Sequence, residues 1–341
     1  MKALVKLAPG PGQVGIAERE ERRPGRREVA VEVTGAGVCG TDLHIADDEF
    51  RSVPPVTMGH EVSGVVAELG PGVDEAWLGA RVVSETYYST CGECEWCRDG
   101  RANLCPERRS IGSAVDGAFA RRVVLPTANL HRIPDWLDEH AACLAEPLAC
   151  VCQCLCDPAV ISPGDEVLVT GPGPVGLLAA QVARAFGGEV LVTGLLGDEV
   201  RLEAARQLGF ATAHAEEVDA VERFHVVVEC SGSGGGAAAC LVGARRGGRY
   251  VQVGVFGQPV TVPLDQIFLK ELVVTSGFAS TARSWRRALA LIESRRVVLE
   301  PLVTEVVPLD AWERVFADLR VGRAIKYVFD PRLGAEREVG A

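Results

Sequence analysis

The sequence predicts an α/β protein of two domains, one mostly β and the other built on a doubly wound parallel sheet. Its 341 residues are too many for a single compact hydrophobic core. Short β-like segments separated by glycine-containing turns fill roughly the first 150 residues. From Ser162 onward, β-like apolar runs alternate with helix-length segments, which is typical of a parallel sheet covered by helices.

The predicted strands of the first domain either alternate polar and apolar residues or run apolar. They are EVAVEVTGAG (28–37), EVSGVVAELG (61–70) and ARVVSETYY (80–88). After residue 165, predicted strands and helices take turns. The strands are EVLVTG (166–171), EVLVTG (189–194), HVVVECSG (225–232), RYVQVGVFG (249–257) and LVVTSGFA (272–279), and the helices include VGLLAAQVARAFG (175–187) and EVRLEAARQLG (199–209).

The tail after Ala279 predicts a helix over 284–296, followed by a strand, a helix and a final strand. We expect this tail to return to the first domain. The predicted domains are therefore 1–149 together with 296–341, and an inserted parallel-sheet domain of residues 150–295.

Composition and charge exclude several functional classes. The net charge of −11 argues against a general binder of nucleic acid or of anionic membranes. No stretch approaches the ~20 apolar residues of a membrane span, and the first residues lack a signal-peptide pattern. We therefore expect a cytoplasmic protein, in which the twelve cysteines favour metal binding over disulfides.

Four cysteines predict a structural zinc site in a lobe of residues 89–107. Cys91, Cys94, Cys97 and Cys105 have the spacing C-x2-C-x2-C-x7-C, and four thiolates so close in sequence can close a tetrahedron around one zinc ion. A nucleic-acid-binding zinc ribbon is the alternative. The balanced local charge and the acidic chain argue against it.

A second set of residues predicts a catalytic zinc. Cys39 lies in GVCGTDLHI, His60 and Glu61 in MGHEVSG, and Glu146 in EPL. One thiolate, one imidazole and two carboxylates suit a catalytic zinc that keeps one position open for water or substrate. Each residue taken singly is more often an ordinary structural residue, so the prediction depends on their combination.

The segment GPGPVG predicts a dinucleotide-binding loop. It follows a predicted strand and begins a predicted helix, the setting in which glycines let a pyrophosphate approach backbone N–H groups. This is the Rossmann arrangement. The candidate cofactor-binding residues of the loop are Gly171, Gly173, Pro174, Val175 and Gly176.

These motifs, in this order and over essentially the whole chain, resemble the zinc-containing medium-chain dehydrogenases of the alcohol dehydrogenase family. Within the family the chain is most similar to the polyol (sorbitol or L-iditol) and L-threonine dehydrogenases. The resemblance implies a GroES-like catalytic domain beside the Rossmann domain. It also implies the zinc ligands Cys39, His60 and Glu61, with Glu146 on the metal or beside it.

The resemblance further implies a reaction. Zinc would acidify a bound secondary alcohol of a polyol, sugar or cyclitol, and hydride would pass to a nicotinamide dinucleotide, leaving a ketone. Thr41 would accept the alcohol proton and relay it through the cofactor ribose to His44, which would pass it to solvent. L-threonine 3-dehydrogenase and glucose dehydrogenase are the alternative activities. The segment EPLACV (146–151), which begins with Glu146, is more similar to the polyol dehydrogenases than to the threonine dehydrogenases. A catalytically silent zinc and nucleotide protein is the non-enzyme alternative. Family habit implies a homodimer or homotetramer.

The cofactor site departs from the polyol branch at one position. Gly194 stands where an acidic residue usually binds the ribose hydroxyls, and Leu195 and Leu196 follow where NADP-using relatives place a basic residue. Asp198 could fold back onto the ribose, and Arg201 could bind a phosphate. The sequence therefore leaves NAD and NADP open, with NAD favoured. Four further cysteines, in CVCQCLC (150–156), are interpreted as packing residues of a helix rather than as a metal site.

Overall fold

The computed structural model describes residues 1–218 and 221–334, which form two compact units. The first comprises Met1–Glu146, Val303–Val321 and the segment that begins at Lys326, and the second comprises Pro147–Leu302 and Gly322–Ile325. This division falls after Glu146 and after Leu302. The domain limits expected from the sequence, after 149 and after 295, stay a prediction.

Strands and helices of the described residues are numbered in chain order. The strands are β1 (Lys2–Lys6), β2 (Val14–Glu18), β3 (Glu28–Gly37), β4 (Val56–Thr57), β5 (Glu61–Leu69), β6 (Arg81–Ser84), β7 (Tyr87–Ser89), β8 (Arg109–Ser110), β9 (Arg122–Pro126), β10 (Leu130–Arg132), β11 (Glu166–Thr170), β12 (Glu189–Gly194), β13 (Ala211–His214), β14 (Phe224–Glu229), β15 (Ala244–Gln252), β16 (Val273–Ser276), β17 (Val303–Val307) and β18 (Lys326–Phe329). The helices are α1 (Gly40–Ala46), α2 (Glu95–Arg98), α3 (Ala145–Leu155), α4 (Pro174–Ala185), α5 (Glu199–Gln207), α6 (Gly234–Gly243), α7 (Asp265–Leu269), α8 (Ala282–Glu293) and α9 (Trp312–Arg320).

The first unit is mostly β, as the sequence predicts. Its main sheet has the order β10-β6-β5-β3-β18-β17, with β9 also paired to β3, and smaller sheets are formed by β2-β1-β4 and β7-β8. Phe119 and Phe329 pack edge to face in its core, with ring centroids 4.9 Å apart. Segment 80–88, expected as one strand, is instead β6 and β7. The buried side chains of Glu85 and Thr86 lie between them and have hydrogen-bond partners of their own.

The centre of that sheet brings the candidate catalytic residues together. β3 is antiparallel to β5 with Gly37 opposite Glu61, and β18 is antiparallel to β3 with Val328 opposite Gly37. A Cβ atom on Gly37 would lie 2.1 Å from Oε2 of Glu61, so only glycine leaves room for this carboxylate. The start of β5, the end of β3 and the start of β18 therefore converge on one point.

The second unit contains the predicted parallel sheet. Its six strands are all parallel and have the order β13-β12-β11-β14-β15-β16, which is the Rossmann order. α4 packs on β11 and β12, α5 on β12 and β13, and α6 on β11, β14 and β15. A buried cluster between sheet and helices forms part of the core: Leu168, Phe224, Val227, Cys240, Leu241, Ala244, Tyr250 and Leu272.

The remaining elements also follow the predicted pattern. The helix expected at 284–296 is α8, and the strand, helix and strand expected after it are β17, α9 and β18. On α3, Cys152 and Cys154 are buried, which agrees with a packing role for this cysteine run. Within 1–218 and 221–334, no helix combines the length and the hydropathy needed to cross a bilayer.

Candidate functional site

The four cysteines of the predicted lobe lie together. The sulfur atoms of Cys91, Cys94, Cys97 and Cys105 are all within 4.8 Å of one another. The backbone N–H groups of Glu93 and Cys94 lower the pKa of the Cys91 thiol to about 7, which favours the thiolate that binds metal. Four convergent sulfurs without any carboxylate or imidazole fit a tetrahedral zinc ion with no open position.

Cys39, His60 and Glu61 form a second cluster. One donor atom from each lies within 4.8 Å of the others. Cys39 directly precedes α1, His60 directly precedes β5, and Glu61 is the first residue of β5. His60 and Glu61 are buried and Cys39 is half-buried. A mixed set of three donors, which leaves a fourth position free, fits a catalytic zinc.

Asp42 supports this cluster and was not identified from the sequence. It is fully buried, its Oδ2 accepts the backbone N–H of Cys39 at 2.9 Å, and its Oδ1 lies 3.6 Å from Nδ1 of His60. Burial lowers the pKa of His60, but the Asp42 carboxylate and the Cys39 sulfur together raise it by more than burial lowers it. The net shift of the His60 pKa is therefore upward. A carboxylate beside a ligating imidazole orients the ring and selects its tautomer.

Lys326 is a second residue that sequence reasoning missed. Its Nζ lies 2.8 Å from both carboxylate oxygens of Glu61 and donates to the carbonyl of Val38 at 2.9 Å. Both side chains of the ion pair are buried. Burial lowers the pKa of Lys326, but the Glu61 carboxylate and the Cys39 sulfur raise it, so the ammonium stays charged. One candidate zinc ligand is thus already paired with a cation.

Glu146 is buried near the first residue of α3, and its Oε1 accepts the hydroxyl of Thr86 at 2.5 Å. It is outside the group of three whose donor atoms lie within 4.8 Å. The structure therefore brings Glu146 to a hydroxyl donor, and a place for it on the metal stays a prediction.

Thr41 and His44 lie in α1, one helical turn apart. The Thr41 hydroxyl is 3.7 Å from the sulfur of Cys39. Nδ1 of His44 is 2.6 Å from a carboxylate oxygen of Glu49, and both of these side chains reach solvent. Residues three apart on a helix share one face, so this pair can connect the cluster to the surface.

The glycine-rich loop has the geometry that its motif predicts. It follows β11, and Gly171 has a φ of 87°, which favours glycine. A Cβ atom on Gly176 would lie 1.9 Å from the Gly171 carbonyl oxygen. Gly173 caps the twelve-residue α4, in which Pro174 and Val175 are the first two residues. The first turn thus exposes backbone N–H groups that can bind a pyrophosphate.

The end of β12 carries the departure noted in the sequence. Gly194 ends the strand, and Asp198 accepts the backbone N–H of Leu195 at 3.0 Å. Arg201 lies 3.3 Å from the Asp198 carboxylate and donates to the carbonyl of Ala324 at 2.9 Å. The structure therefore brings Gly194, Asp198 and Arg201 into one small region.

Glu229, at the end of β14, is a further residue that sequence reasoning missed. It is fully buried, and its Oε1 accepts the backbone N–H groups of Ser231 at 2.7 Å and Gly232 at 3.0 Å, while Gln252 donates to its Oε2 at 2.8 Å. A Cβ atom on Gly171 would lie 2.6 Å from the Ser231 Cα. Glu229 therefore fixes the loop on which the glycine-rich loop packs. An acidic residue that ends an apolar strand was the signal for it.

Two family models match the chain. One is described as the alcohol dehydrogenase GroES-like domain and matches residues 25–135, and the other is described as zinc-binding dehydrogenase and matches residues 174–294. A sorbitol dehydrogenase of Halalkalibacterium halodurans is 40% identical, over 97% of this chain and 99% of that protein. An L-threonine 3-dehydrogenase of Saccharopolyspora erythraea is 34% identical, over 97% of this chain and 99% of that protein. The solved structure of a zinc-binding dehydrogenase of Sinorhizobium meliloti bound to NADP has a TM-score of 0.88 and 30% identity, and covers 97% of this chain and 99% of its own.

Proposed function

We propose that this chain, which belongs to the zinc-binding dehydrogenase family with an alcohol dehydrogenase GroES-like domain, oxidises a secondary alcohol of a polyol, sugar or cyclitol to a ketone. The predicted family, the two-domain α/β fold class and the zinc-binding dehydrogenase class are confirmed. The observation that carries the proposal is the cluster of Cys39, His60 and Glu61 in a chain 40% identical to a sorbitol dehydrogenase.

The proposed roles of the residues follow from their positions. A zinc ion held by Cys39, His60 and Glu61 would polarise the alcohol oxygen and lower its pKa. Thr41, whose hydroxyl lies beside the Cys39 sulfur, accepts the alcohol proton. His44 passes it to solvent, because its ring is part-exposed and an imidazole can both accept and donate a proton. The loop of residues 171–176 binds the pyrophosphate of NAD or NADP.

A substrate panel tests the proposal. The full-length protein is given polyols, sugars and L-threonine with NAD⁺ and with NADP⁺, and reduced nicotinamide is followed by absorbance. We expect a polyol to be oxidised, and Cys39→Ala to abolish the activity. Cys240→Ala is the matched control, because Cys240 is equally small, fully buried and outside both cysteine clusters. Activity that survives both Cys39→Ala and Thr41→Ala would overturn the mechanism.

L-threonine 3-dehydrogenase is the second candidate, because a relative of that activity is 34% identical over 97% of this chain. Oxidation of L-threonine in the same panel, without oxidation of any polyol, would favour it. A glucose dehydrogenase would be recognised in the same way, by oxidation of that sugar alone. A silent binding protein would oxidise nothing in the panel.

A homodimer is the proposed assembly, and the edge strand β16 is its proposed interface. Among the described strands, β16 has one neighbour in the sheet, and Val273 and Val274 are both about half exposed although they point to opposite faces. Phe268 of α7, nearby in the chain, is 84% exposed. Two copies of one edge can pair about a two-fold axis. Light scattering should give the dimer mass for the wild type and the monomer mass for Val274→Lys. A tetramer would show that a further interface exists.

The cytoplasm is the proposed location. All twelve cysteines lie in the described residues and none forms a disulfide, which suits a reducing compartment. Fractionation of the source cells with an antibody against the protein tests this, and recovery from the membrane fraction would contradict it.

A further inference from the structure

We propose that Asp198 replaces the missing acidic residue at the end of β12 and makes the dinucleotide site select NAD over NADP. The inference rests on the proposed dinucleotide-dependent function. In a dinucleotide-binding βαβ unit, an acidic side chain at the end of the second strand accepts hydrogen bonds from the adenosine ribose. Gly194 holds that position here and has no side chain.

The space beside Gly194 is already filled by Asp198. A Cβ atom built on Gly194 would lie 3.1 Å from the Cβ atom of Asp198 and 2.8 Å from Cγ of Pro172 in the glycine-rich loop. The Asp198 side chain thus begins almost where a strand-end side chain would begin, next to the same loop. The connection after β12 therefore places the Asp198 carboxylate beside Gly194, at the strand end that has no side chain of its own.

The connection is fixed in this conformation by its own hydrogen bonds. Oδ2 of Asp198 accepts the backbone N–H of Leu195 at 3.0 Å, which turns residues 195–198 back on themselves. The Asp198 side chain is 20% exposed, so it is not closed off from solvent. Because a carboxylate has about four acceptor positions, it can bind ribose hydroxyls while it keeps the Leu195 contact.

The same region is unsuited to a 2′-phosphate. Arg201 is the basic residue close to Asp198, and it is bound to the Asp198 carboxylate at 3.3 Å and to the Ala324 carbonyl at 2.9 Å. Its charge is therefore balanced within the protein. Leu195 and Leu196, directly after Gly194, are 63% and 70% exposed and offer apolar surface instead of a phosphate contact. A 2′-phosphate bound here would add negative charge beside the Asp198 carboxylate, and like charges repel.

Equilibrium binding tests the assignment without reliance on turnover. NADH, NADPH, 5′-AMP and 2′,5′-ADP are titrated into the full-length protein by calorimetry. We expect NADH to bind about 10- to 100-fold more tightly than NADPH, with the same order for the two adenosine fragments. Asp198→Asn keeps an acceptor for the Leu195 N–H but removes the charge. We expect this variant to bind NADH about tenfold more weakly than the wild type does and to bind NADPH more tightly.

Two further variants separate the role of Asp198 from general effects. Glu199→Gln removes a neighbouring negative charge. The Glu199 side chain is 57% exposed and pairs with Arg206, so this variant should leave the ratio of NADH to NADPH affinity unchanged. Asp198→Ala removes the charge and the acceptor together, and it should weaken NADH binding at least as much as Asp198→Asn does. Equal affinity of the wild type for NADH and NADPH, with alcohol oxidation intact, would overturn this inference and leave the proposed function standing. A wild type that binds neither dinucleotide would overturn both.

Discussion

Lys326→Met leaves the Glu61 carboxylate buried without its cation, and we expect a large loss of stability in the zinc-free protein. At 2.8 Å and an effective dielectric constant near 20, the attraction between Nζ and the carboxylate is about 6 kcal/mol before desolvation. Breaking a buried pair by removing one partner costs about 3–5 kcal/mol. A zinc ion on Glu61 would supply the missing positive charge, so the cost in the loaded protein should fall below about 2 kcal/mol.

The measurement is urea unfolding of wild type and variant, with saturating zinc and with a chelator. If the stability loss of Lys326→Met is about 2 kcal/mol smaller with zinc than with chelator, linkage requires that the variant binds this zinc about 30-fold more tightly than the wild type does. Lys270→Met is the matched control, because Lys270 is equally buried but, among the described residues, donates to carbonyls of residues 241, 242 and 244 and to no carboxylate. Its loss should be the same with and without zinc. A Lys326→Met loss that is also independent of zinc would refute the reasoning.

Three further predictions concern other contacts. Cys105→Ser should reduce the zinc content from two ions per chain to one, and elemental analysis that still finds two would contradict the four-cysteine site. Thr86→Val removes the hydroxyl donor of a buried carboxylate, Glu146, and should cost about 1.5–3 kcal/mol in urea unfolding, whereas Thr86→Ser should be nearly neutral. The Asp330 carboxylate raises the pKa of His140 in the folded protein. The protonated His140 therefore stabilises the fold below its unfolded-state pKa of 6.5, and this stabilisation is lost as the pH rises through its folded-state pKa. The stability difference between wild type and His140→Gln should thus be largest between about pH 4 and 6.5, and a difference that grows above pH 8 would contradict it.

Short-range patterns could be predicted from the sequence, and long-range pairings could not. The four cysteines span fifteen residues and GPGPVG spans six, so their spacing alone determines what they can form. Asp42 was also within reach, because an acidic residue three positions after Cys39 is a common way to begin a helix. Glu229 could have been found as a polar end to an apolar strand.

Other partners become neighbours only through the sheet. Thr86 and Glu146 are 60 positions apart, and no local pattern marks a threonine as the donor to a particular glutamate. Lys326 stands in IKYVFD, where one lysine before an apolar run is expected on the surface. Its burial follows from the pairing of β18 with β3, which no periodicity specifies.

The pairing of Glu61 with Lys326 has a consequence for biosynthesis. The two residues are 265 positions apart, and at about 5–20 residues per second a ribosome needs roughly 15–50 s to travel from one codon to the other. Throughout that interval the nascent chain carries an acidic residue destined for the interior whose lysine does not yet exist. Water, or a metal ion captured early, must compensate the charge until translation is nearly complete. Premature termination between codons 146 and 326 would therefore yield a chain that contains every predicted zinc ligand but lacks the lysine that pairs with the buried Glu61.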